Sequence, residues 1–216
     1  MAGPRIAVVD YHKGNLSSVA RGLERAGATA TVTDDPDALA SADAIVLPGV
    51  GAFADAMAFM RESGQAEALV DQMGEGKPML GICLGLHLLF EHGHEGATDA
   101  PCPGLGVLAG SVTRLESTRL KVPHMGWDQL MLTDHGRACP LFAHVDDGAN
   151  VYYTHSYALA DDVDPAIVAT RSLYTRGFAS GVWSDNIVGL QFHPEKSSGV
   201  GELILKGFID MVKGAA

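Results

Sequence analysis

Two short stretches of this chain hold side chains whose types and spacing can do chemistry. The first is Gly81-Ile82-Cys83-Leu84-Gly85, which follows the apolar run Met79 to Ile82 and opens an apolar helical stretch. Glycines on either side of a cysteine permit a sharp strand-to-helix turn that a Cβ would obstruct. Such a turn lifts the thiol to the carboxyl edge of a parallel sheet, where open α/β folds build their sites. The positive end of the following helix favours a thiolate there, and the backbone N–H of Leu84 is placed to meet an oxyanion. By itself the motif is ambiguous, because an unpaired cysteine is often a small buried hydrophobe.

The second stretch is Val188-Gly189-Leu190-Gln191-Phe192-His193-Pro194-Glu195. Val188, Leu190 and Phe192 alternate onto one face of a strand, and His193 stands where that strand ends. Pro194 steers His193 away from the helical region. Residues two apart on an extended chain point the same way, roughly 6.5 Å apart, so Glu195 can curl toward the imidazole and accept from one ring nitrogen. The other nitrogen is then free to take a proton from Cys83. Without a nucleophile elsewhere the same stretch is only a solvated turn. Cysteine, base and orienting carboxylate, all at strand ends, form an acyl-transfer triad.

The elements that must position these groups read as a single α/β domain over residues 1–216, an open, mainly parallel but mixed sheet flanked by helices. Ile6 to Val9, Thr29 to Thr33, Ala44 to Leu47 and Met79 to Ile82 are strand-like runs separated by helical spacing. Leu16, Val19, Leu23 and Ala26 mark a first helix, with Asn15 able to cap it and Gly27 to stop it. Two helices fit between Phe53 and Glu75, and another covers Leu84 to Glu91. This βαβα order implies parallel strands with helices on both faces. The second half reads as strands near Val107, Val112 to Leu115, Val151 to Tyr157, Ala166 to Arg171, Phe178 to Trp183 and Ile187 to Phe192. A last helix follows, capped by Ser197 or Ser198. Glu91 to Gly106 reads as a long surface loop.

Bulk properties set the class. Hydrophobic residues make up 47% and charged residues 19% of 216, enough for a substantial core. Lysine and arginine total 15 against 26 acidic residues, a net charge of -11, which argues against a nucleic-acid partner. No apolar stretch has the length of a membrane span. Three widely spaced cysteines (Cys83, Cys102 and Cys139) do not form a disulfide framework, and Met1 to Asp10 lacks the regions of a secretory signal, so the expected compartment is the cytoplasm. His92 and His94 read as solvated loop residues, and no metal site is expected.

At Cys83 and His193-Pro194-Glu195 the chain resembles the triad-type glutamine amidotransferases. Three further stretches narrow the likeness: Asp10-Tyr11-His12-Lys13-Gly14-Asn15-Leu16, Pro123-His124-Met125-Gly126-Trp127 and His193-Pro194-Glu195-Lys196-Ser197-Ser198. Together they are similar to the family of glutaminase subunits of imidazole glycerol phosphate synthase, from the first strand to the last helix. The resemblance implies hydrolysis of L-glutamine to glutamate, with ammonia passing to a separate (βα)8-barrel cyclase subunit in histidine biosynthesis. It implies Cys83, His193 and Glu195 as the triad, and an oxyanion hole from Leu84 and the Val50-Gly51 loop. It also implies a glutamine pocket lined by His155, Ser156 and Tyr157, and no cofactor. Asn15, Met125, Trp127, Tyr152 and Lys196 are the implied partner-facing residues.

One position departs from the family. Where the elbow usually continues to a glutamine four residues past the cysteine, this chain has His87. Positions 83 and 87 share a helix face, so His87 is expected to bind the substrate in a modified way. It can instead be a satisfied structural histidine or a rival base. Other functions remain open on sequence: a glutaminase for another synthase such as that of pyridoxal phosphate, a cysteine peptidase, or an impaired regulatory subunit that only binds a partner.

Overall fold

The computed structural model describes residues 3–12, 14–96 and 100–215. Lys13 and residues 97–99 of the expected loop lie outside the described residues. The strands are β1 (Arg5–Val9), β2 (Thr29–Thr33), β3 (Ala44–Leu47), β4 (Met79–Ile82), β5 (Phe90–Gly93), β6 (Cys102–Pro103), β7 (Leu108–Arg114), β8 (His124–Gln129), β9 (Met131–Leu132), β10 (Asn150–His155), β11 (Tyr157–Leu159), β12 (Val168–Leu173), β13 (Gly177–Ser184) and β14 (Ile187–Leu190). The α-helices are α1 (Leu16–Arg25), α2 (Pro36–Ser41), α3 (Phe53–Glu62), α4 (Gln65–Gly74), α5 (Leu84–Leu88), α6 (Asp134–Ala138) and α7 (Ser198–Ala215).

The main sheet has the order β2-β1-β3-β4-β14-β13-β12-β9. Its first five strands are parallel, and β13, β12 and β9 extend it antiparallel. β3, β4 and β14 lie in its interior and are buried at every residue. That is why they read as unbroken apolar runs rather than alternating ones. Alternation decides which layer each side chain enters. Ile6 and Val8 of β1 join the core under α1 and α7, with Val19, Leu23, Ile204 and Phe208. Ala7 and Val9 join the opposite core under α3 and α4, with Phe53, Met57, Met60 and Leu69. A two-stranded sheet, β10-β8, and a four-stranded sheet, β11-β7-β5-β6, complete the fold. No helix of the described residues is long and apolar enough to cross a membrane.

Four expectations are corrected. The helix expected over Leu84 to Glu91 ends at Leu88. Phe90–Gly93 is strand β5, parallel to β7, and Cys102–Pro103 pairs with it inside the expected loop. Leu84 to Phe90 is buried on all sides, and periodicity cannot separate a helix from a strand in so short an apolar run. Asn15 stands at the start of α1 but its side chain makes no cap hydrogen bond. The Ser197 hydroxyl is occupied elsewhere: it accepts from the Tyr152 N–H at 2.9 Å and donates to the His193 carbonyl at 2.7 Å. Helix α2, capped by the Asp35 carboxylate on the Asp37 N–H at 3.0 Å, and strand β8 over the His-Met-Gly-Trp run are elements that apolar periodicity did not reveal.

Candidate active site

Strands β4 and β14 are neighbours, with Ile82 opposite Leu190. Whatever follows each of them meets at the carboxyl edge of the sheet. Cys83 follows β4, and its N–H donates to the Leu190 carbonyl at 2.7 Å. Its backbone sits at φ 54°, ψ -107°, a strained conformation for a residue with a side chain. The glycines beside it are required for space: a Cβ on Gly85 would fall inside the Leu47 carbonyl, and one on Gly81 would crowd the carbonyl of Gly85. With α5 only five residues long, the helix dipole behind the thiol is weaker than a full helix would give.

His193 is 3% exposed, with its N–H on the Tyr152 carbonyl at 2.9 Å. Its Nδ1 donates to Glu195 Oε1 at 2.8 Å, and both side chains are enclosed, at 4% and 2% exposure. Glu195 reaches the ring through a 3-10 turn over Pro194–Lys196, a tighter path than the extended one the sequence suggested. His193 Nε2 is enclosed and has no hydrogen-bond partner among the described residues, and Cys83 is near enough to act on the ring's charge. Burial alone would strip the imidazolium of its proton. The negative charge a Cys83 thiolate places beside the ring, then Glu195, outweigh that and hold the His193 proton well above the usual histidine range. The arrangement can take a thiol proton, hold it, and hand it to a leaving group.

A cleft enclosing about 400 Å³ opens beside the sulfur. Its lining includes Val50, Gly51, Leu84 and His87 together with Thr154, His155, Ser156 and Tyr157. Both nitrogens of His155 are committed, Nδ1 to the Tyr157 carbonyl at 2.8 Å and Nε2 to His124 Nδ1 at 3.1 Å. Burial lowers its proton affinity to about 3, so the ring is neutral and serves as wall. His87 is brought to the cleft, but its Nε2 is spent on Gln191 Oε1 at 2.8 Å. The Leu84 N–H is also occupied: it donates to the Gly49 carbonyl at 3.4 Å, so one expected oxyanion donor is covered in this conformation.

Sequence reasoning missed Tyr11, Glu95, Thr154 and Gln191. Tyr11 is buried against Gly49, its hydroxyl without a partner among the described residues. Burial, and next the Cys83 charge, push that phenol far up. Glu95 lines the cleft, its carboxyl raised chiefly by burial. The Thr154 carbonyl lies 3.9 Å from Cys83 Sγ. Only Gln191 carried a legible signal, since it sits between two strand-face residues just before His193.

The remaining expected residues gather on one surface. Trp127 of β8 pairs with Tyr152 of β10, ring edge to ring face at 6.0 Å, and Met125 pairs with Thr154. Met125 and Trp127 are 63% and 53% exposed. Lys196 places its ammonium 5.8 Å over the Tyr152 ring and shares a crevice with Asn15 and Val50. An exposed aromatic cluster that adjoins the triad is the composition of an interface centre.

A cysteine elbow, a histidine–carboxylate pair and a mainly parallel sheet define a class, and a family model described as glutamine amidotransferase class-I matches residues 7–211. The chain belongs to that family and is a glutamine amidotransferase. Among its relatives, a subunit HisH of imidazole glycerol phosphate synthase from Syntrophotalea carbinolica is 45% identical, covering 95% of this chain and 100% of that protein. One of the same description from Geobacter sulfurreducens is 46% identical, covering 96% and 99%. The fold is shared with the PurLQS structure from Thermotoga maritima, at a TM-score of 0.76 and 21% identity over 97% of this chain and 99% of that one. A crystal structure of a glutamine amidotransferase gives a TM-score of 0.73 at 18% identity, over 96% and 98%.

Proposed function

We propose that this chain is the glutaminase subunit of an imidazole glycerol phosphate synthase, with Cys83 as nucleophile, His193 as acid and base and Glu195 as its orienting carboxylate. The observation that carries the reading is the meeting of Cys83, His193 and Glu195 at the ends of adjacent strands, with the His193–Glu195 hydrogen bond at 2.8 Å. The HisH relatives support the pathway.

The sulfur, its proton on His193 Nε2, attacks the side-chain amide carbon of L-glutamine, and the carbonyl π electrons move to oxygen. His193 returns the proton to the amide nitrogen, the C–N bond breaks and ammonia leaves. Water, deprotonated by His193, then attacks the thioester carbon, and glutamate departs as the C–S bond breaks. Glu195 keeps the neutral imidazole in the tautomer with its hydrogen on Nδ1 and stabilises the imidazolium when it forms. Within the cleft, Glu95 supplies a carboxylate for the substrate ammonium, and Ser156 and Tyr157 supply backbone N–H groups for its carboxylate.

The tetrahedral oxyanion needs the Leu84 N–H and a donor from the Val50-Gly51 loop. Because the Gly49 carbonyl now covers the Leu84 N–H, turnover requires that loop to rotate. The crevice joining Val50 to Asn15 and Lys196 gives a docked partner a direct hold on it. The partner is a (βα)8-barrel cyclase subunit seated on Met125, Trp127, Tyr152, Asn15 and Lys196, in a cytoplasmic heterodimer. Ammonia kept between the two subunits escapes protonation in bulk water. The test is glutamate formation with and without an imidazole glycerol phosphate synthase barrel subunit. Stimulation that Cys83→Ala abolishes supports the reading; equal rates with and without the barrel contradict it.

A further inference from the structure

The Cys83 sulfur has a second buried neighbour that the acyl-transfer steps do not use. Gln191 is fully enclosed. Its Nε2 lies 3.9 Å from Cys83 Sγ, and its Oε1 lies 2.8 Å from His87 Nε2. Its backbone is pinned: the Gln191 N–H donates to the Ser180 carbonyl at 2.9 Å, and the preceding Leu190 carbonyl accepts from the Cys83 N–H at 2.7 Å. Side chain and nucleophile are therefore held by one strand end.

A side-chain amide can be turned either way, and the direction decides its effect on the sulfur. His87 sets that direction. Burial lowers its proton affinity to about 4, so at neutral pH the ring is uncharged and carries a single N–H. With the hydrogen on Nε2, His87 donates to Gln191 Oε1, and the amide NH2 faces the sulfur. With the hydrogen on Nδ1, Nε2 has to accept from the amide, and Gln191 Oε1 turns against the sulfur. An N–H toward sulfur stabilises the thiolate, whereas a carbonyl there opposes it. The structure has the first arrangement.

We infer that Gln191 is a positioning residue for the Cys83 thiolate, aimed by His87, so that the histidine four residues past the nucleophile serves the sulfur through Gln191 in addition to lining the cleft. The inference rests on the proposed role of Cys83. It accounts for a histidine at the position where the resemblance implies glutamine: one ring nitrogen is bonded to the Gln191 amide.

The test is the rate of iodoacetamide alkylation of Cys83, followed from about pH 5 to about pH 10 in the full-length chain. Wild type, Gln191→Leu, Gln191→Met, His87→Ala and the His87→Ala/Gln191→Leu double variant are compared, each checked for folding by circular dichroism. Alkylation consumes the thiolate without glutamine or a barrel subunit, so it is independent of the glutaminase reading, which glutamine hydrolysis by the same samples reports. Removing the amide moves the inflection of the alkylation rate upward by about one pH unit. His87→Ala moves it in the same direction but less, and adds nothing once Gln191 is gone. Turnover of glutamine by Gln191→Leu falls about tenfold in kcat while KM stays within about twofold. Folded variants with an unmoved inflection, or a loss carried by KM alone, overturn the inference. If the leucine variant fails to fold, Gln191→Met, which keeps the length and shape, gives the same readout.

Discussion

Replacing Glu195 by glutamine isolates the charge from the shape. In the structure Glu195 Oε1 accepts from His193 Nδ1 at 2.8 Å, and both side chains are all but removed from water, so screening does not weaken the pair. A glutamine of the same length keeps an oxygen for the Nδ1–H but loses the negative charge. A hydrogen bond to a charged group contributes about 1.5–3 kcal/mol and a neutral one about 0.5–1.5. The imidazolium therefore loses about 1–2 kcal/mol of support, and about 1.4 kcal/mol is a factor of ten. Glutaminase turnover with the barrel subunit present is expected to fall about 5- to 30-fold. If the amide turns its NH2 to the ring, the tautomer is wrong and the loss approaches about 10⁴-fold. The same change lowers the His193 proton affinity, so the alkaline limb of the pH–rate profile moves to lower pH. The sign for stability follows from a raised histidine. Its contribution is complete below the ordinary value of 6.5 and is lost as pH rises through the folded value of about 10. The variant therefore melts lower than wild type at neutral pH, and the gap closes as pH approaches about 10. Turnover within about twofold of wild type, with an unmoved alkaline limb, refutes the role given to the ion pair.

Three more outcomes are expected. Gly85→Ala drives a Cβ into the backbone carbonyl of Leu47, which cannot move aside; the cost is about 3 kcal/mol or more, visible as a large drop in Tm, and an unchanged Tm contradicts it. His87 and His155 are held neutral, at about 4 and about 3, by burial, while the unfolded chain protonates below the ordinary 6.5. Their stabilisation is thus present above that value and lost as pH falls toward the folded values. Urea titrations across that interval are expected to show a steadily falling midpoint. Trp127→Ala removes an exposed ring at the centre of the aromatic cluster; calorimetric titration with the barrel subunit is expected to show affinity reduced more than about tenfold, with the Tm of the free chain unchanged.

Much of the fold was legible because its central strands are buried on both faces. Ala44 to Leu47 and Met79 to Ile82 are short runs free of polar side chains, flanked by Asp43 and Pro48 and by Pro78 and Cys83, and their limits match the strands. Phe90–Gly93 was not legible, because its one large apolar residue continues the helical run from Leu84 and its pairing partner lies beyond a glycine-rich stretch. The meeting of Cys83 with His193 was foreseeable from chemistry but not from local pattern, since it depends on β14 inserting beside β4 after more than one hundred intervening residues. What the sequence withheld was orientation. Nothing local says that the Gly49 carbonyl turns onto the Leu84 N–H, or that His87 spends a nitrogen on Gln191. Both are long-range hydrogen bonds that spacing along the chain does not encode.

The most direct test is the covalent intermediate itself. The complex with the barrel subunit is mixed with L-glutamine, quenched in acid on the millisecond scale, digested and read by mass spectrometry. A glutamyl thioester on the peptide carrying Cys83, absent in Cys83→Ala and accumulating in a variant slowed at the His193-dependent hydrolysis step, is the predicted result. Glutamate formed with no acyl group on Cys83 at any quench time, or an acyl group on Cys102 or Cys139 instead, contradicts the account.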